Sequence, residues 1–280
     1  MTRRQILETY MVLGGIPYYW RQLVKGYSLA QNFDLLFFSD GAPLKGEFTE
    51  LYSSLFRNAP LYIKIASALA TKKMGMTRRE MTEAVGITDT GVVSDALETL
   101  EESGFIRRYR FFGHKKRDSI YQLIDNFTLF HFKFLNKQQW INQHNGFFGQ
   151  AAWRGLAFER LCLQHSEQMR KALGIAGVHT EIYAWRHNAD EIYPVGAQID
   201  LLLDRADNVI NICEMKFTQG SYAIDKATIE KLGDKAEVFR AVSKTSKAIH
   251  LTMVTANGLV RNAYANRIQS EITLDDLFAQ

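Results

Sequence analysis

Two short apolar segments constrain the fold of this chain more than any other part of its sequence. Residues 197–203 and 209–217 are rich in Ile, Leu and Val, and only a few polar residues around Asp207 separate them. This pattern is typical of two neighbouring antiparallel strands joined by a tight turn. The sequence therefore predicts a β-hairpin in this region.

Three charged residues, Asp200, Glu214 and Lys216, interrupt the apolar strands of this hairpin. If the turn is centred on Asp207, Asp200 lies opposite Glu214, because each is seven residues from the centre. Directly opposed side chains on one face of a sheet are roughly 5 Å apart. Because side chains alternate along a strand, Glu214 and Lys216 are expected to share a face with Asp200. The pattern predicts a pair of carboxylates beside a lysine.

A carboxylate pair of this kind favours a bound cation. Two ionised carboxylates repel each other, and burial in an apolar sheet adds a desolvation cost, unless a cation lies between them. Mg²⁺ prefers oxygen ligands and keeps several waters. We therefore predict Asp200 and Glu214 as ligands of Mg²⁺ or Mn²⁺, and Lys216 as the residue that orients or deprotonates an attacking water. The alternative is a salt-bridge cluster of the same three residues on a half-exposed hairpin.

The order of elements around the hairpin predicts an α/β sandwich. The expected elements are a helix at 153–173, strands at 178–185, 197–203 and 209–217, a helix at 222–242, a strand at 248–255, a helix at 259–264 and a short strand near Ile272. On the first helix, Glu159 lies among apolar residues and is a further catalytic candidate. Its alternative role is that of an exposed glutamate paired with an arginine at helical spacing. Three lysines of the second helix are expected to form a solvated face: Lys226, Lys231 and Lys235.

The first half of the chain is predicted to be mainly helical. Residues 1–55 contain short helices at 3–13, 18–24, 28–38 and 45–55, and residues 56–140 form a second domain. In that domain the expected order is a helix at 61–71, a helix that a capping box opens at residues 77–80, a helix at 90–103, and strands at 105–112 and 118–123. This order is typical of a winged helix-turn-helix. An aromatic helix at 127–140 is expected to pack between domains rather than to stack on bases, and a third domain covers 150–280.

A winged helix can place its third helix in the major groove of DNA and its wing on the phosphates. The candidate DNA contacts are Arg78, Arg79, Thr90, Ser94, Arg107, Arg108, Lys115, Lys116 and Arg117. Against this, four acidic residues on the third helix would repel DNA: Asp95, Glu98, Glu101 and Glu102. Docking to a protein is therefore the alternative role for this domain.

The sequence also bears on the compartment of the protein. No stretch approaches ~18 uninterrupted apolar residues, and the first residues lack a cleavable signal pattern. Cys162 and Cys213 lie within apolar patterns and are expected to be buried thiols. We predict a cytoplasmic protein without a membrane segment.

The order α-β-β-β-α-β, with Asp200 followed by Glu214-Met215-Lys216, resembles the PD-(D/E)xK nuclease superfamily of the restriction-endonuclease-like fold. Ile199-Asp200 stands where that superfamily has Pro-Asp. More narrowly, the motifs GAQIDLLLDR, ICEMKF and AWRGLAFERLC, with a preceding winged helix, resemble the C-terminal half of archaeal and bacterial AAA-type ATPases, which carry a nuclease-like domain of unknown function there. The resemblance implies a metal-dependent endodeoxyribonuclease, active or degenerate, that acts on DNA.

The same resemblance assigns residues 1–55 to the lid of an ATPase module, in which Gly15 and Pro17 would lie close to bound nucleotide. The sequence given contains no GxxxxGK[ST] phosphate-binding loop. We therefore expect no ATP hydrolysis by this chain alone, and ATP would act only through a missing or separate ATPase domain or partner. Two alternatives to a nuclease stay open: a non-catalytic regulatory or interaction module of an ATPase, and a winged-helix DNA-binding regulator.

Overall fold

The computed structural model describes residues 1–88, 90–115, 118–135 and 151–279. These residues form a mixed α/β structure that divides into two compact units. Unit 1 comprises residues 1–108 and 120–160, and unit 2 comprises residues 109–119 and 161–280. The chain therefore passes from unit 1 to unit 2 inside one strand near residue 108, returns to unit 1 near residue 120, and passes to unit 2 again inside one helix near residue 160.

Unit 1 begins with four helices, close to their predicted positions: α1 (Arg3–Leu13), α2 (Pro17–Arg21), α3 (Leu29–Phe37) and α4 (Glu47–Leu55). Capping boxes at Thr2 and Ser28 fix the first turns of α1 and α3, because each cap side chain and a glutamine three residues later satisfy backbone N–H groups. Proline at the first position of α2 suits a helix start.

The next part of unit 1 has the element order predicted for a winged helix. It consists of α5 (Ala59–Ala70), β1 (Met76–Thr77), α6 (Arg78–Val85), α7 (Gly91–Glu102), β2 (Ile106–Phe111) and β3 (Ile120–Leu123). The predicted capping box is confirmed, since the Thr77 side chain accepts from the backbone N–H of Glu80 and the Glu80 side chain accepts from that of Thr77. Strand β1 pairs antiparallel with β3.

The predicted aromatic helix begins as α8 (Asn126–Phe130) and continues as a π-helical turn, His131–Leu135. Residues 136–140 of the prediction lie outside the described residues. Phe127, Phe130 and Phe134 are buried, and Phe127 packs 5.0 Å from the Tyr19 ring centroid. The aromatic stripe is therefore buried, and its contact with Tyr19 lies within unit 1.

Helix α9 (Ala151–Gln164) leads from unit 1 into unit 2. The structure places a break at His165, where the sequence predicted one continuous helix to residue 173, and α10 (Ser166–Ala172) follows. The remaining elements of unit 2 are β4 (Thr180–His187), β5 (Ala197–Arg205), β6 (Val209–Lys216), α11 (Lys226–Ser243), β7 (Ala248–Thr255), β8 (Ser270–Ile272) and α12 (Leu274–Leu277).

The strands of unit 2 form a mixed sheet in the order β2-β4-β5-β6-β7-β8. The two hairpin pairs, β4 with β5 and β5 with β6, are antiparallel, whereas β2–β4, β6–β7 and β7–β8 are parallel. Helix α11 packs on one face of this sheet, where Phe239 joins a buried cluster with Trp185, Ile199 and Ile212. The site discussed below lies at one end of this face.

The predicted helix at 259–264 is wrong. Leu259 instead forms a parallel bridge with Tyr222, and the described structure has a 3₁₀ turn at Ala265–Arg267. The Asn262 side chain accepts from the backbone N–H groups of Tyr264 and Ala265 and donates to the carbonyl of Ile224. Such side-chain bonds to the backbone compete with helical bonds. The bridge at Tyr222 also explains why α11 begins at Lys226, with Asp225 as its cap, rather than at 222.

Among the helices that the structure describes, none is both long enough and apolar enough to cross a membrane.

Candidate active site

The β5–β6 hairpin has the register that the sequence predicted. The pairs run from Asp204↔Ile210 to Leu201↔Cys213. Asp200 and Glu214 are the next pair of positions in this register. The turn includes Asn208 with a φ of 64°, a left-handed conformation that asparagine tolerates well.

Glu214 lies at the centre of a cluster of charges near the end of β6. Its Oε1 atom is 2.8 Å from Nζ of Lys216, so these two residues share a face of the strand as predicted. Its Oε2 atom accepts a hydrogen bond of 2.9 Å from Nζ of Lys235 on α11. Each oxygen of the carboxylate therefore has its own ammonium partner.

Lys235 is the site residue that sequence reasoning missed. The expectation of a solvated face is met by Lys226 and Lys231, which are exposed, but is wrong for Lys235, whose side chain is only 17% exposed. Lys235 lies three residues after Leu232 and four before Phe239, which are both buried. This spacing puts the lysine in the apolar stripe of the helix. A lysine inside an apolar stripe is therefore the sequence signal by which this site residue could have been found.

The cluster keeps Glu214 ionised. Burial by itself would raise the pKa of this carboxyl, but the charges of Lys235 and Lys216 and their hydrogen bonds outweigh burial, so the pKa lies below its usual value. The neighbouring Cys213 shows the effect of burial without a cation, because desolvation raises the pKa of its thiol to about 12. Cys213 and Cys162 are buried free thiols, as predicted.

Asp200 lies in a β-bulge that the sequence did not reveal. Between the pairs Tyr183↔Leu202 and Trp185↔Ile199, β4 advances by two residues and β5 by three. Asp200 and Leu201 therefore stand opposite the single residue Ala184. The simple alternation used to assign Asp200 to the face of Glu214 does not hold across this point, since a bulge redirects side chains.

Two further observations describe the surroundings of Asp200. The Gln198 side chain donates a hydrogen bond of 2.6 Å to Oδ1 of Asp200. Ile199 and Leu202, on either side of the bulge, both join the core cluster that contains Phe239. The carboxylate thus sits on a strand that is anchored in the core before and after it.

A cavity of about 530 Å³ adjoins the cluster in unit 2. One wall is the loop between β4 and β5, from Tyr193 to Ala197, and the other is α11, including Lys235. Asp190 shapes this loop, because its side chain accepts from the backbone N–H groups of Ile192 and Tyr193 and contacts His187 at 2.9 Å. Two carboxylates of α11, Asp234 and Glu237, also line the cavity.

Glu159 belongs to unit 1 and to a different network. The residue is buried, contrary to the expectation of an exposed glutamate, and its oxygens contact Nζ of Lys73 at 2.7 Å and Nη1 of Arg160 at 3.2 Å. Arg160 is 2% exposed and also donates to the carbonyl of Lys73, which Gln122 binds as well. These contacts tie Glu159 into the interior of unit 1.

Most of the described DNA-contact candidates have intramolecular partners. Arg78 donates to the Ser94 hydroxyl at 2.7 Å and to the Thr90 carbonyl at 3.0 Å, so these three residues join the start of α7 to α6. Arg79 pairs with Glu83 at 2.8 Å. Lys115 is exposed, whereas Lys116 and Arg117 lie outside the described residues.

The remaining basic candidates lie on β2. Arg107 donates to Gln122 at 2.6 Å, and Arg108 is 3.2 Å from Glu101. The exposed side of α7 carries Val92, Asp95 and Glu98. Helix α7 therefore presents an acidic and partly apolar surface to solvent.

Gly15 and Pro17 line one pocket of unit 1 together with Trp20 and Arg21. The pocket has a volume of about 450 Å³, and the Trp20 indole donates to the Gly14 carbonyl at 2.8 Å. The two residues that the resemblance places close to nucleotide thus border a common surface depression.

Within the described ranges, no group of three or more His, Cys, Asp or Glu side chains is arranged to hold a metal ion. The carboxylates that the sequence offers for a cation are the pair Asp200 and Glu214. Comparison with protein families, curated proteins and solved structures gave no match to this chain.

Proposed function

We propose that this protein is a Mg²⁺- or Mn²⁺-dependent DNA nuclease of the PD-(D/E)xK type, with its site at Asp200, Glu214 and Lys216. One observation carries the proposal: Lys216 binds Glu214 near the end of β6, and the hairpin register, extended by one position into the β-bulge, puts Asp200 opposite Glu214. A restriction-endonuclease-like core in unit 2 is part of the proposal. It is supported by the order of helices α9 and α10, the three antiparallel strands β4, β5 and β6, helix α11 and strand β7.

The donor chemistry of the site fits a hard divalent cation. Asp200 and Glu214 offer carboxylate oxygens, which Mg²⁺ prefers, and the lowered pKa keeps Glu214 in the form that binds cations. Two ammonium groups already cluster on Glu214, which shows that this position attracts positive charge. When bound, the metal supplies an activated water and an electrophile for a phosphate oxygen.

The residues of the chain have separate roles in this proposal. Glu214 and Asp200 would hold the cation, and their buried neighbours on β5 and β6 anchor both strands in the core. Lys216 is 37% exposed at its side chain, so its ammonium can turn toward a phosphate while its stem stays on the strand. Its positive charge would stabilise the charge that develops on phosphorus oxygens during attack.

Plasmid cleavage tests this assignment. Wild type, Asp200→Ala and Lys216→Ala are compared in Mg²⁺ and in Mn²⁺, with Lys226→Ala as a control at an exposed lysine. We expect cleavage by wild type and the control and a loss of at least 100-fold in the two site variants, the order of effect of removing one electrostatic catalyst. Equal cleavage by all four proteins, or by none, would rule out a catalytic site.

A second candidate function is an interaction module that works with a separate ATPase. The observation that favours it is the surface of α7, where Asp95 and Glu98 are exposed beside Val92 and Arg78 is engaged with Ser94. Such a surface suits a protein partner better than DNA. In this role the pocket at Gly15 and Pro17 would face nucleotide bound by the partner.

Duplex binding separates this candidate from a winged-helix DNA reader. Fluorescence anisotropy with a labelled duplex is measured over a salt series for wild type and a Lys115→Glu, Lys116→Glu, Arg117→Glu triple variant. A DNA reader loses affinity steeply with salt and with the substitutions. An interaction module gives weak binding that the triple variant leaves unchanged.

A further inference from the structure

We infer that a cavity in unit 1 binds a small phosphate monoester with an apolar body, at a site separate from the proposed nuclease residues. The cavity has a volume of about 290 Å³, close to the lower end of the range for small-molecule sites. It is bordered by the end of α5 and the loop that follows, the end of β3, α8 with its π-helical turn, and α9. All of its described lining residues belong to unit 1.

The polar part of this cavity is positively charged. No acid is among its described lining residues, whereas four cations are: Lys72, Lys73, Lys133 and Arg160. Glu80 pairs with Lys72 at 3.0 Å. Glu159 pairs with Lys73 at 2.7 Å and with Arg160 at 3.2 Å. The four cations therefore outnumber these two carboxylates by two.

Two groups at the cavity lack a partner among the described residues. Lys133, whose side chain is exposed, forms no ion pair with any of them. The indole N–H of Trp153 is buried without an acceptor, and this residue is only 3% exposed. A buried donor without an acceptor is destabilising. An acceptor oxygen on a ligand in the cavity is the partner that this donor lacks.

The remaining wall of the cavity is apolar. Leu69, Leu123 and Leu129 line it, and all three are buried in the fold. Trp153 and Leu156 continue this surface on α9. Contact with these side chains removes apolar ligand surface from water, which is favourable. The cavity therefore fits an organic anion better than an inorganic ion.

The charge of the cavity selects the head group of the ligand. A phosphate monoester carries about −1.5 to −2 charges near neutral pH and balances the two cations in excess, whereas a carboxylate brings a single charge. The side chains of Lys72 and Lys73 are 50% and 49% exposed, so their ammonium groups can turn toward a phosphate. The guanidinium of Arg160 is held by Glu159 and by the Lys73 carbonyl, and it supplies a fixed positive charge.

Nuclear magnetic resonance tests the site directly. The indole N–H signals of the full chain are followed during titration with phenyl phosphate, inorganic phosphate and phenol, and Trp153→Phe identifies the signal of Trp153. We expect phenyl phosphate to shift this signal and to bind about tenfold more tightly than phosphate or phenol, because only phenyl phosphate uses both the cations and the apolar wall.

Substitutions at the cavity give the second test. Lys72→Met and Lys133→Met should each weaken binding of phenyl phosphate about tenfold, because each removes a charged hydrogen-bond donor. The control is Lys64→Met, which removes an exposed lysine of α5 that does not line the cavity and should match wild type. Lys72 and Lys133 are both exposed, so these variants are expected to fold, and thermal unfolding confirms it.

Three results would each overturn the inference: equal affinity for phenyl phosphate and inorganic phosphate, a Trp153 signal that phenyl phosphate does not shift, or affinities unchanged in both lysine variants. Plasmid cleavage depends on residues of unit 2, so a failure of the proposed nuclease leaves this site standing, and the reverse also holds.

Discussion

The ammonium of Lys235 lies 2.9 Å from Oε2 of Glu214, although 21 positions in the sequence separate the two residues. The contact joins the end of strand β6 to the middle of helix α11, which packs on the sheet. The Glu214 carboxylate, although it lies in an apolar sheet, therefore forms an ion pair with Lys235. The stability of the protein depends on this ion pair and on the buried network of Glu159, Lys73 and Arg160 in unit 1.

Glu214→Gln should destabilise the protein by about 2 kcal/mol at pH 7, because it leaves the largely buried ammonium of Lys235 without a carboxylate. Urea unfolding measures the change. The control is Glu230→Gln, whose exposed pair with Lys226 is 3.8 Å long and should contribute less than about 0.5 kcal/mol. Equal effects at the two positions would show that the Glu214 cluster adds no stability.

The stability difference between wild type and Glu214→Gln should depend on pH. The pKa of Glu214 is lowered in the folded protein, so its contribution is complete above the unfolded value of about 4.3. The contribution is lost as the pH falls from there through the folded pKa, because the unfolded state binds the proton first. Unfolding curves at pH 7, 5, 4 and 3 test this, and a difference that stays constant down to pH 3 would contradict it.

Glu159→Ala should destabilise unit 1 by about 3–5 kcal/mol, because it leaves the guanidinium of Arg160, 2% exposed, without its carboxylate. Glu167→Ala is the control, since its 2.7 Å pair with Arg170 involves a carboxylate that is 65% exposed. Urea unfolding compares the two. A loss of cleavage without any loss of stability would instead favour the catalytic role predicted for Glu159.

His131 should make unit 1 sensitive to mild acid. Its ring stacks on Phe48 with centroids 3.8 Å apart, and desolvation lowers its pKa to about 4. A folded pKa below the unfolded value of about 6.5 means that the stability contribution is complete above pH 6.5 and is lost between pH 6.5 and 4. After allowance for partial exposure, the loss should be roughly 1–2 kcal/mol. His131→Phe should not show it, and His114→Phe, at an exposed histidine, should behave as wild type.

Gly75→Ala should be among the most damaging small substitutions. Gly75 has a φ of +77°, and an added Cβ would lie 2.2 Å from the carbonyl oxygen of Tyr121. The backbone must move to relieve this clash, so a loss of about 3 kcal/mol or more is expected. Gly86→Ala is the control, since its φ is +71° but the added Cβ meets nothing within 4 Å, and strain alone should cost about 1 kcal/mol. Thermal unfolding of both variants measures the two losses, and equal losses would show that the clash at Gly75 costs nothing beyond backbone strain.

The sequence predicted the local features of the site and missed the nonlocal ones. The register of the β5–β6 hairpin follows from a short turn between alternating apolar strands, and both signals are local. The bulge at Asp200 has no such signal, because Ile199, Leu201 and Leu202 are apolar on both sides of it. The missing helix at 259–264 depends on contacts with the distant backbone of Tyr222 and Ile224.

The partners of charged side chains are also nonlocal and cannot be predicted from the sequence. The spacing of Lys235 puts it in the apolar stripe of its helix, but only the packing of α11 on the sheet directs it to Glu214 and leaves Lys231 exposed. Similarly, Glu159 was recognised as a residue in an apolar setting, but its partner Lys73 comes from the loop before β1. Side chains that pair across the chain have to be placed by the fold before their chemistry can be inferred.

The crossing of the chain inside β2 has a practical consequence for anyone who expresses the two halves separately. Arg110 and Phe111 pair with Tyr183 and Ala184, so residues 109–119 supply the strand that covers the edge of β4. A truncated protein that starts near residue 150 would retain the proposed nuclease residues but expose that edge to solvent. Uncovered strand edges template aggregation, so such a fragment would precipitate for reasons unrelated to its active site.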